Sequence, residues 1–147
     1  MDSIVFAETN KSQIMKLVQH HKPKVTWDKI VGHGDINCDG IDDYVVKGKA
    51  GKRIYIDVVL GPVKDTSTVT GLDFGIGCEK YQDSLSEKNP TVRIVPLDYN
   101  PEEELGGALE GFQCSKRCKG IEVGGEESDP MNIYWNHKTN NIGWWRL

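Results

Sequence analysis

The chain is expected to fold as one mainly β domain with a single helix at its N-terminal end. Apolar residues at helical spacing occur near the start, whereas the segments that follow alternate polar and apolar residues or cluster β-forming ones, with glycine-rich turns between them. With 147 residues, 37% of them hydrophobic, the chain has room for one core of ordinary size. We therefore predict a compact β-rich α+β domain of antiparallel hairpins over residues 10–147.

The helix is predicted from Asn10 to His21. Its apolar face consists of Ile14, Leu17 and Val18. Asn10 and Gln13 are placed as a capping pair, and Pro23 gives a stop signal. His20 and His21 then fall in the last turn, where cations interact favourably with the terminal carbonyl groups.

Strands are predicted in seven segments: Val25–Val31, Tyr44–Lys47, Arg53–Leu60, Thr91–Pro96, Gly120–Val123, Asn132–Asn136 and Ile142–Leu147. Hairpin turns are expected at Gly48–Gly51 and at His137–Asn141. The stretches 65–77 and 78–90 are rich in Gly, Ser, Asp and Lys, which predicts loops. A single helical turn is expected near Asn100–Glu104, with its carboxylates at the positive end of the helix.

Three of the four tryptophans, Trp135, Trp144 and Trp145, fall within the last predicted hairpin. Such residues usually pack in a core or across strands, because tryptophan buries a large area. An exposed binding face is the alternative, and the sequence leaves the choice open.

The charge pattern excludes two classes of partner. Charges of both signs are mixed along the chain and the net charge is only −4, so neither a nucleic-acid surface nor a basic membrane patch is expected. No apolar run approaches the roughly 20 residues needed to cross a bilayer. We expect a soluble protein without a membrane span.

Residues 1–9 are interpreted as a signal-peptide remnant or a disordered N-terminus. Ser3–Ala7 followed by Glu8 resembles the end of an export signal, although the longer apolar stretch and the basic start of a full signal are missing. An ordinary first strand is the alternative. The export interpretation predicts a periplasmic or secreted protein.

The four cysteines, Cys38, Cys78, Cys114 and Cys118, form no C-x-x-C pair, so zinc-ribbon and thioredoxin-type sites are not expected. Two disulfides in an oxidising compartment fit this pattern, and four buried free thiols are the alternative. Three pairings are possible and the sequence does not choose among them. Cys114 and Cys118 are near enough to close a small loop, which would leave Cys38 to pair with Cys78.

An acidic stretch, GDINCDGIDD, places four aspartates and one asparagine within nine positions, where they would repel one another without a cation. Counted from Asp35 as position 1, the oxygen-bearing residues at positions 1, 3, 5 and 9 are Asp35, Asn37, Asp39 and Asp43. Gly40 at position 6 allows the loop to reverse, and Ile41 at position 7 can offer its carbonyl oxygen. Hard oxygen ligands in a flexible loop predict Ca²⁺. Asp42, at position 8, is expected to point outward.

Position 12 is Val46, where a helical EF-hand has a bidentate glutamate, so a strand follows the loop. The pattern D-x-N-x-D-G-x-x-D running into Tyr44-Val45-Val46 resembles the calcium loop of the FG-GAP or VCBS repeat of β-propellers. The likeness is specific over His33–Lys47, and a weaker likeness to small exported bacterial proteins, largely uncharacterised, covers most of the chain. One loop in a chain of this length implies a local calcium clamp and not a full propeller.

No catalytic motif is present: the sequence has no G-x-S-x-G, no H-E-x-x-H and no complete glycine-rich nucleotide loop. We expect a non-enzymatic, calcium-binding protein of the bacterial envelope that binds another protein, as do inhibitors of cell-wall enzymes and immunity proteins. The partner-binding residues are unknown at this stage. The alternative is a small calcium-dependent hydrolase or a carbohydrate- or peptidoglycan-binding module.

Overall fold

The computed structural model describes residues 3–77 and 82–147 and is mainly β, as predicted. One long helix precedes eight strands, with a one-turn helix between the fifth and the sixth. The elements are α1 (Ser3–His21), β1 (Thr26–Gly34), β2 (Asp43–Ala50), β3 (Arg53–Val59), β4 (Val69–Gly75), β5 (Thr91–Leu97), α2 (Glu102–Leu105), β6 (Ser115–Gly124), β7 (Met131–Asn136) and β8 (Asn141–Trp145).

The strands form two four-stranded antiparallel sheets, each with its strands in chain order. The first sheet contains β1 to β4 and the second contains β5 to β8. Strand β1 lies beside β5 and β4 lies beside β8, so the two sheets stack and share one core. Ile56 and Val58 of the first sheet and Ile121 and Ile133 of the second are among the buried residues of that core.

Helix α1 covers the opposite face of the first sheet. Ile14 and Val18 are fully buried there against Trp27, Val46 and Val59. The first sheet is therefore buried on both faces, because side chains alternate between the two sides of a strand. Helix α1 therefore covers the side of β3 that carries Tyr55 and Asp57. The alternation of polar and apolar residues along β3 would by itself place that side in solvent.

Two details of α1 differ from prediction. The helix begins at Ser3 and not at Asn10, so Asn10 and Gln13 are inside the helix and the capping pair is wrong. Asn10 instead donates a hydrogen bond to the Tyr44 hydroxyl (3.2 Å), and Gln13 donates to Asp65 (2.8 Å). The predicted stop before Pro23 is confirmed.

Strand β4 was missed, because Gly71, Asp73 and Gly75 give its sequence the composition of a loop. It pairs with β3 along its whole length. Gly71 lies opposite Asp57, and a Cβ atom there would be 1.9 Å from the Asp57 carboxylate. Gly71 weakens the strand pattern in the sequence, but in the structure its missing side chain leaves space for the buried Asp57 carboxylate.

The predicted Gly48–Gly51 turn is also shorter than expected. Strand β2 continues to Ala50, which pairs with Arg53, and Gly51 occupies the turn with a positive φ of 58°. Glycine suits this left-handed conformation, because it has no Cβ atom to clash with the backbone.

The tryptophans of the last hairpin divide between two environments. Trp135 is buried in the shared core, and Trp144 packs against it with its ring edge-on to Phe74 at 5.5 Å. Trp145, the next residue along β8, faces the other side of the second sheet and is also buried. Two of the three therefore take the core role that the sequence favoured.

Candidate metal centre

The acidic loop connects β1 to β2, and three of its carboxylates converge. One carboxylate oxygen from each of Asp35, Asp39 and Asp43 lies within 4.8 Å of the other two. These residues occupy positions 1, 5 and 9 of the predicted ligand order. The cluster could hold a metal ion, because carboxylates this close repel one another without a positive charge between them.

Asp43 is the buried member of the carboxylate cluster. It is fully buried, and its Oδ2 accepts hydrogen bonds from the backbone N–H groups of Ile36 (2.8 Å) and Asn37 (3.2 Å). Its Oδ1 accepts from the N–H of Gly61 (3.0 Å). Burial raises the pKa of Asp43, and these backbone bonds oppose that rise. They fix the carboxylate in place, and because Oδ1 accepts only one of the three bonds, it retains a lone pair for a cation.

The other two carboxylates wind the loop tightly. Asp35 accepts hydrogen bonds from the N–H groups of Asp39 (3.2 Å) and Gly40 (2.8 Å), and Asp39 accepts from that of Ile41 (2.9 Å). The chain reverses at Gly40, whose φ is +84°. This is the backbone requirement that predicts glycine at position 6.

Asn37, at position 3, presents one side-chain amide atom to all three carboxylates. That atom lies 3.3 Å from oxygens of Asp35 and Asp43 and 2.9 Å from an oxygen of Asp39. If it is the amide nitrogen, its two hydrogens can donate to two of the three carboxylates without a metal. If it is the amide oxygen, four side-chain oxygens from four residues converge, and only a cation can hold them so close.

The remaining loop residues lie outside the carboxylate cluster. Asp42 is half-exposed and its carboxylate lies 2.8 Å from Nδ1 of His33, which agrees with its predicted outward position. The side chain of Ile41 is 42% exposed at the tip of the loop, and its carbonyl remains a predicted ligand. Val46, at position 12, is buried beneath helix α1, so the chain offers no side-chain ligand there.

A disulfide joins the loop to the second sheet. Cys38, inside the loop, is bonded to Cys118 of β6 across a sequence separation of 80 residues. The expected pairs Cys114–Cys118 and Cys38–Cys78 are therefore wrong. Cys114 is exposed and free, and Cys78 lies outside the described residues. Short spacing favoured the Cys114–Cys118 pair, but β6 begins at Ser115 and extends the chain between the two.

Two parts of the site were missed in the sequence. The N–H of Lys119 donates to the carbonyl of Asp35 (2.9 Å), which ties the loop to β6 beside the disulfide. Gly61 passes so close that a Cβ atom there would be 1.9 Å from the carbonyl oxygen of Asp42. The Gly61-Pro62 pair after a strand signals a turn, but its contact with the acidic loop depends on the tertiary fold.

Comparison with protein-family models, with curated proteins and with solved structures gives no significant match. In the described part of the chain, no helix combines the length and the apolar character needed to span a membrane. The chemistry of the site therefore carries the functional argument. All its candidate ligands are hard oxygens, which suit calcium, magnesium or manganese better than zinc or copper.

Proposed function

We propose that this chain is a non-enzymatic protein of the bacterial periplasm or envelope whose loop Asp35–Asp43 binds Ca²⁺ as a structural clamp. The convergence of three carboxylates supports the proposal, and the amide of Asn37 can supply a fourth oxygen. Several carboxylate and carbonyl oxygens on an irregular loop match the higher and more flexible coordination of Ca²⁺ better than the strict octahedron of Mg²⁺.

The disulfide supports an exported location. Disulfides persist in oxidising compartments such as the bacterial periplasm and are rare in the cytosol. Cys38 lies within the metal loop itself, so the bond to Cys118 would preserve the loop in the metal-free protein. The resemblance of the loop to the FG-GAP repeat and the signal-like residues at the N-terminus point the same way.

The proposed role is binding of a protein partner, such as a cell-wall-directed enzyme that the chain inhibits or a toxin that it neutralises. The net charge of −4 would favour association with a basic enzyme. Affinity capture from an envelope fraction, with calcium and with chelator, tests this role. Recovery of a hydrolase or toxin with calcium is the expected result, and recovery of neither would contradict it.

The metal clamp is tested by thermal unfolding of the wild type, Asp39→Ala and Asp42→Ala, each with Ca²⁺ and with chelator. Ca²⁺ at 10 to 100 times its Kd should stabilise the wild type by about 1.4–2.7 kcal/mol, or roughly 3–10 °C. Asp39→Ala should abolish that gain, because it removes one of the three clustered carboxylates.

Asp42→Ala is the matched control, because it removes a carboxylate from the same loop but outside the cluster. It should keep the full calcium-dependent gain. An equal loss in both variants would mean that only the total loop charge matters. No calcium effect in the wild type would refute the clamp, and an equal gain from Mg²⁺ would refute the choice of calcium.

A further inference from the structure

Two clefts follow one another along the groove between helix α1 and strand β1. One, of about 770 Å³, lies beside residues 12–20 of the helix, and its lining includes Met15. The other, of about 580 Å³, lies beside residues 10–14, and its lining includes Ile30 and Tyr44. These three side chains are only half-buried against the core beneath α1. The α1–β1 groove therefore offers accessible apolar surface on two regular elements.

The charged lining of the groove is basic. Lys16 and His20 line the first cleft, and Lys11, Lys29 and His33 line the second. Among the side chains that the structure describes, no Asp or Glu lines either cleft. The groove is therefore a region of positive potential in a chain whose net charge is −4.

The charges of the groove are largely unpaired within the protein. No ion pair is found, within the described part of the chain, for its three lysines, Lys11, Lys16 and Lys29. His33 does have an acidic neighbour, since the Asp42 carboxylate lies 2.8 Å from its Nδ1 where the groove adjoins the acidic loop. Asp28 of β1 lies 3.8 Å from Lys47 and lines neither cleft. The three lysines thus remain available to an anionic partner.

The combination of charge and apolar surface favours one kind of occupant. Carboxylates complement the lysines, and apolar side chains cover the accessible parts of Met15 and Ile30. A nucleic-acid backbone fits less well, because no arginine, the residue best suited to bidentate phosphate contacts, is among the described lining residues. An anionic bilayer also fits less well, because the exposed large apolar residues of the described chain, Ile41 and Leu147, do not line the groove. A peptide with both acidic and apolar residues meets both requirements.

The length of the groove sets the length of the peptide. Its lining residues on α1 run from Asn10 to His20, which is about 15 Å of helix. An extended chain covers about 3.3 Å per residue. A segment of about five extended residues therefore spans the groove.

We propose that the α1–β1 groove binds an extended segment of a partner protein in which Asp or Glu residues are interspersed with apolar ones. Its carboxylates pair with Lys11, Lys16 and Lys29, and its apolar side chains pack on Met15 and Ile30. The inference goes beyond the proposed function, because it names a second surface and the chemistry of the partner that fits it. It does not depend on a metal in the acidic loop.

The test is an NMR titration of protein labelled with ¹³C at its methionine methyl groups, with acetyl-Glu-Leu-Glu-Leu-Glu-amide as the probe. Met15→Leu and Met131→Leu identify the two resonances that matter. Met15 lines the groove, whereas Met131 is fully buried in the shared core. The peptide should shift the Met15 resonance and leave that of Met131 unchanged. No shift of the Met15 resonance would overturn the proposal.

Two control peptides separate the charged from the apolar contribution. Acetyl-Gln-Leu-Gln-Leu-Gln-amide lacks the carboxylates, and acetyl-Glu-Ser-Glu-Ser-Glu-amide lacks the apolar side chains. Each should bind more weakly than the probe by about fivefold or more, because it retains only one of the two kinds of contact. A control peptide that binds as tightly as the probe would overturn the proposed occupant.

Variants of the protein locate the contact. Lys11→Gln/Lys29→Gln should weaken binding of the probe by about three- to tenfold, as expected for two exposed charge contacts. Thermal unfolding checks that this variant is folded. Lys52→Gln/Lys64→Gln is the matched control, because it removes the same charge from exposed lysines that line neither cleft. It should leave the affinity unchanged, and equal weakening in both double variants would reduce the effect to net charge and overturn the proposal.

The other anionic occupants are tested in the same buffer with a short DNA duplex and with vesicles of phosphatidylglycerol and phosphatidylcholine. Neither should shift the Met15 resonance at the concentration of negative charge at which the peptide does. A shift at a lower concentration of negative charge would identify a nucleic acid or a membrane as the better occupant and would overturn the peptide.

Discussion

Asp43 and Asp57 are both fully buried aspartates of the first sheet, but they are held in different ways. Burial raises the pKa of both. Asp43 accepts three backbone N–H groups, whereas Asp57 meets the side chains of His21 (2.8 Å) and Lys22 (3.5 Å) at the end of α1. The acidic loop therefore satisfies its buried acid with neutral backbone donors, and the end of the helix satisfies Asp57 with partly exposed side chains that can carry charge.

The contrast shows what each acid organises. Asp43 orients its own loop, because two of its three donors, Ile36 and Asn37, belong to the loop it closes. Asp57 joins two separate elements, because its partners come from or just after α1 while it lies in the middle of β3. Lys22 also lies over the ring of Tyr55 at 5.3 Å, which adds a second contact at the same junction. Asp43 thus orients the backbone of its own loop, whereas Asp57 connects the end of the helix to the sheet.

Loss of the disulfide should lower the free energy of unfolding more than the substitutions of the buried acids. It removes a bond of the acidic loop and leaves the contacts of Asp57 in place. In Cys38→Ser/Cys118→Ser the unfolded chain is no longer closed into a loop of about 80 residues, which is worth up to about 4.5 kcal/mol at 25 °C in the chain-entropy model. We expect urea unfolding to show a loss of about 2–5 kcal/mol. The calcium-dependent gain should also shrink, since the loop is no longer preorganised.

Cys114→Ser is the control for this variant, because Cys114 is exposed and free. It should leave the free energy of unfolding unchanged within about 0.5 kcal/mol. A comparable loss in Cys114→Ser, or an unchanged stability in the double variant, would contradict the assigned cross-link.

Truncation of the two buried acids compares the regions directly. Asp43→Ala leaves the N–H groups of Ile36, Asn37 and Gly61 without their acceptor and should cost about 2–4 kcal/mol in chelator. Asp57→Ala should cost about 1 kcal/mol, because the side chains of His21 and Lys22 are about a third exposed and can turn to water. Urea unfolding of both variants in the same buffer measures the difference.

Asp43→Asn refines this test, since it retains an acceptor oxygen and the side-chain volume. It should fall between the wild type and Asp43→Ala in chelator and should still lose the calcium-dependent gain. If Asp43→Ala and Asp57→Ala lost the same free energy of unfolding, backbone donors and side-chain donors would be equivalent. That result would contradict the difference inferred between the two buried acids.

The sequence predicted the local features of the loop but not its surroundings. The spacing of Asp35, Asp39 and Asp43 and the glycine at position 40 depend on a few adjacent residues, so the pattern is visible in the chain. The contacts from Gly61, Cys118 and Lys119 come from residues 18 to about 80 positions away. Only the tertiary fold brings them together, and no local rule reports such contacts.

The same limit applies on the helix side of the first sheet. Alternation along β3 predicts which of its residues share a face, and Ile54, Ile56 and Val58 do lie together in the core. Alternation does not reveal that α1 covers the opposite face. The position of His21 in the last turn of the helix was visible in the sequence, but its pairing with the buried Asp57 depends on the tertiary fold.

The smallest expected effect is the pH dependence contributed by Asp57. Because burial raises its pKa in the folded protein above the ordinary value of 3.8, the stability it contributes is fully present below pH 3.8 and is lost as the pH rises through the raised pKa. The loss amounts to about 1.4 kcal/mol for each unit by which the pKa is raised. The wild type should therefore lose stability relative to Asp57→Asn between about pH 3 and pH 7, as measured by urea unfolding at each pH.

Asp28→Asn, which removes an exposed carboxylate from β1, gives the baseline and should show a nearly constant difference from the wild type over the same range. If the wild type instead gained stability over Asp57→Asn as the pH rose, the positive charges of His21 and Lys22 would outweigh burial. The carboxylate would then be held as an ion by the end of α1, and the two buried acids would differ in their charge as well as in their donors.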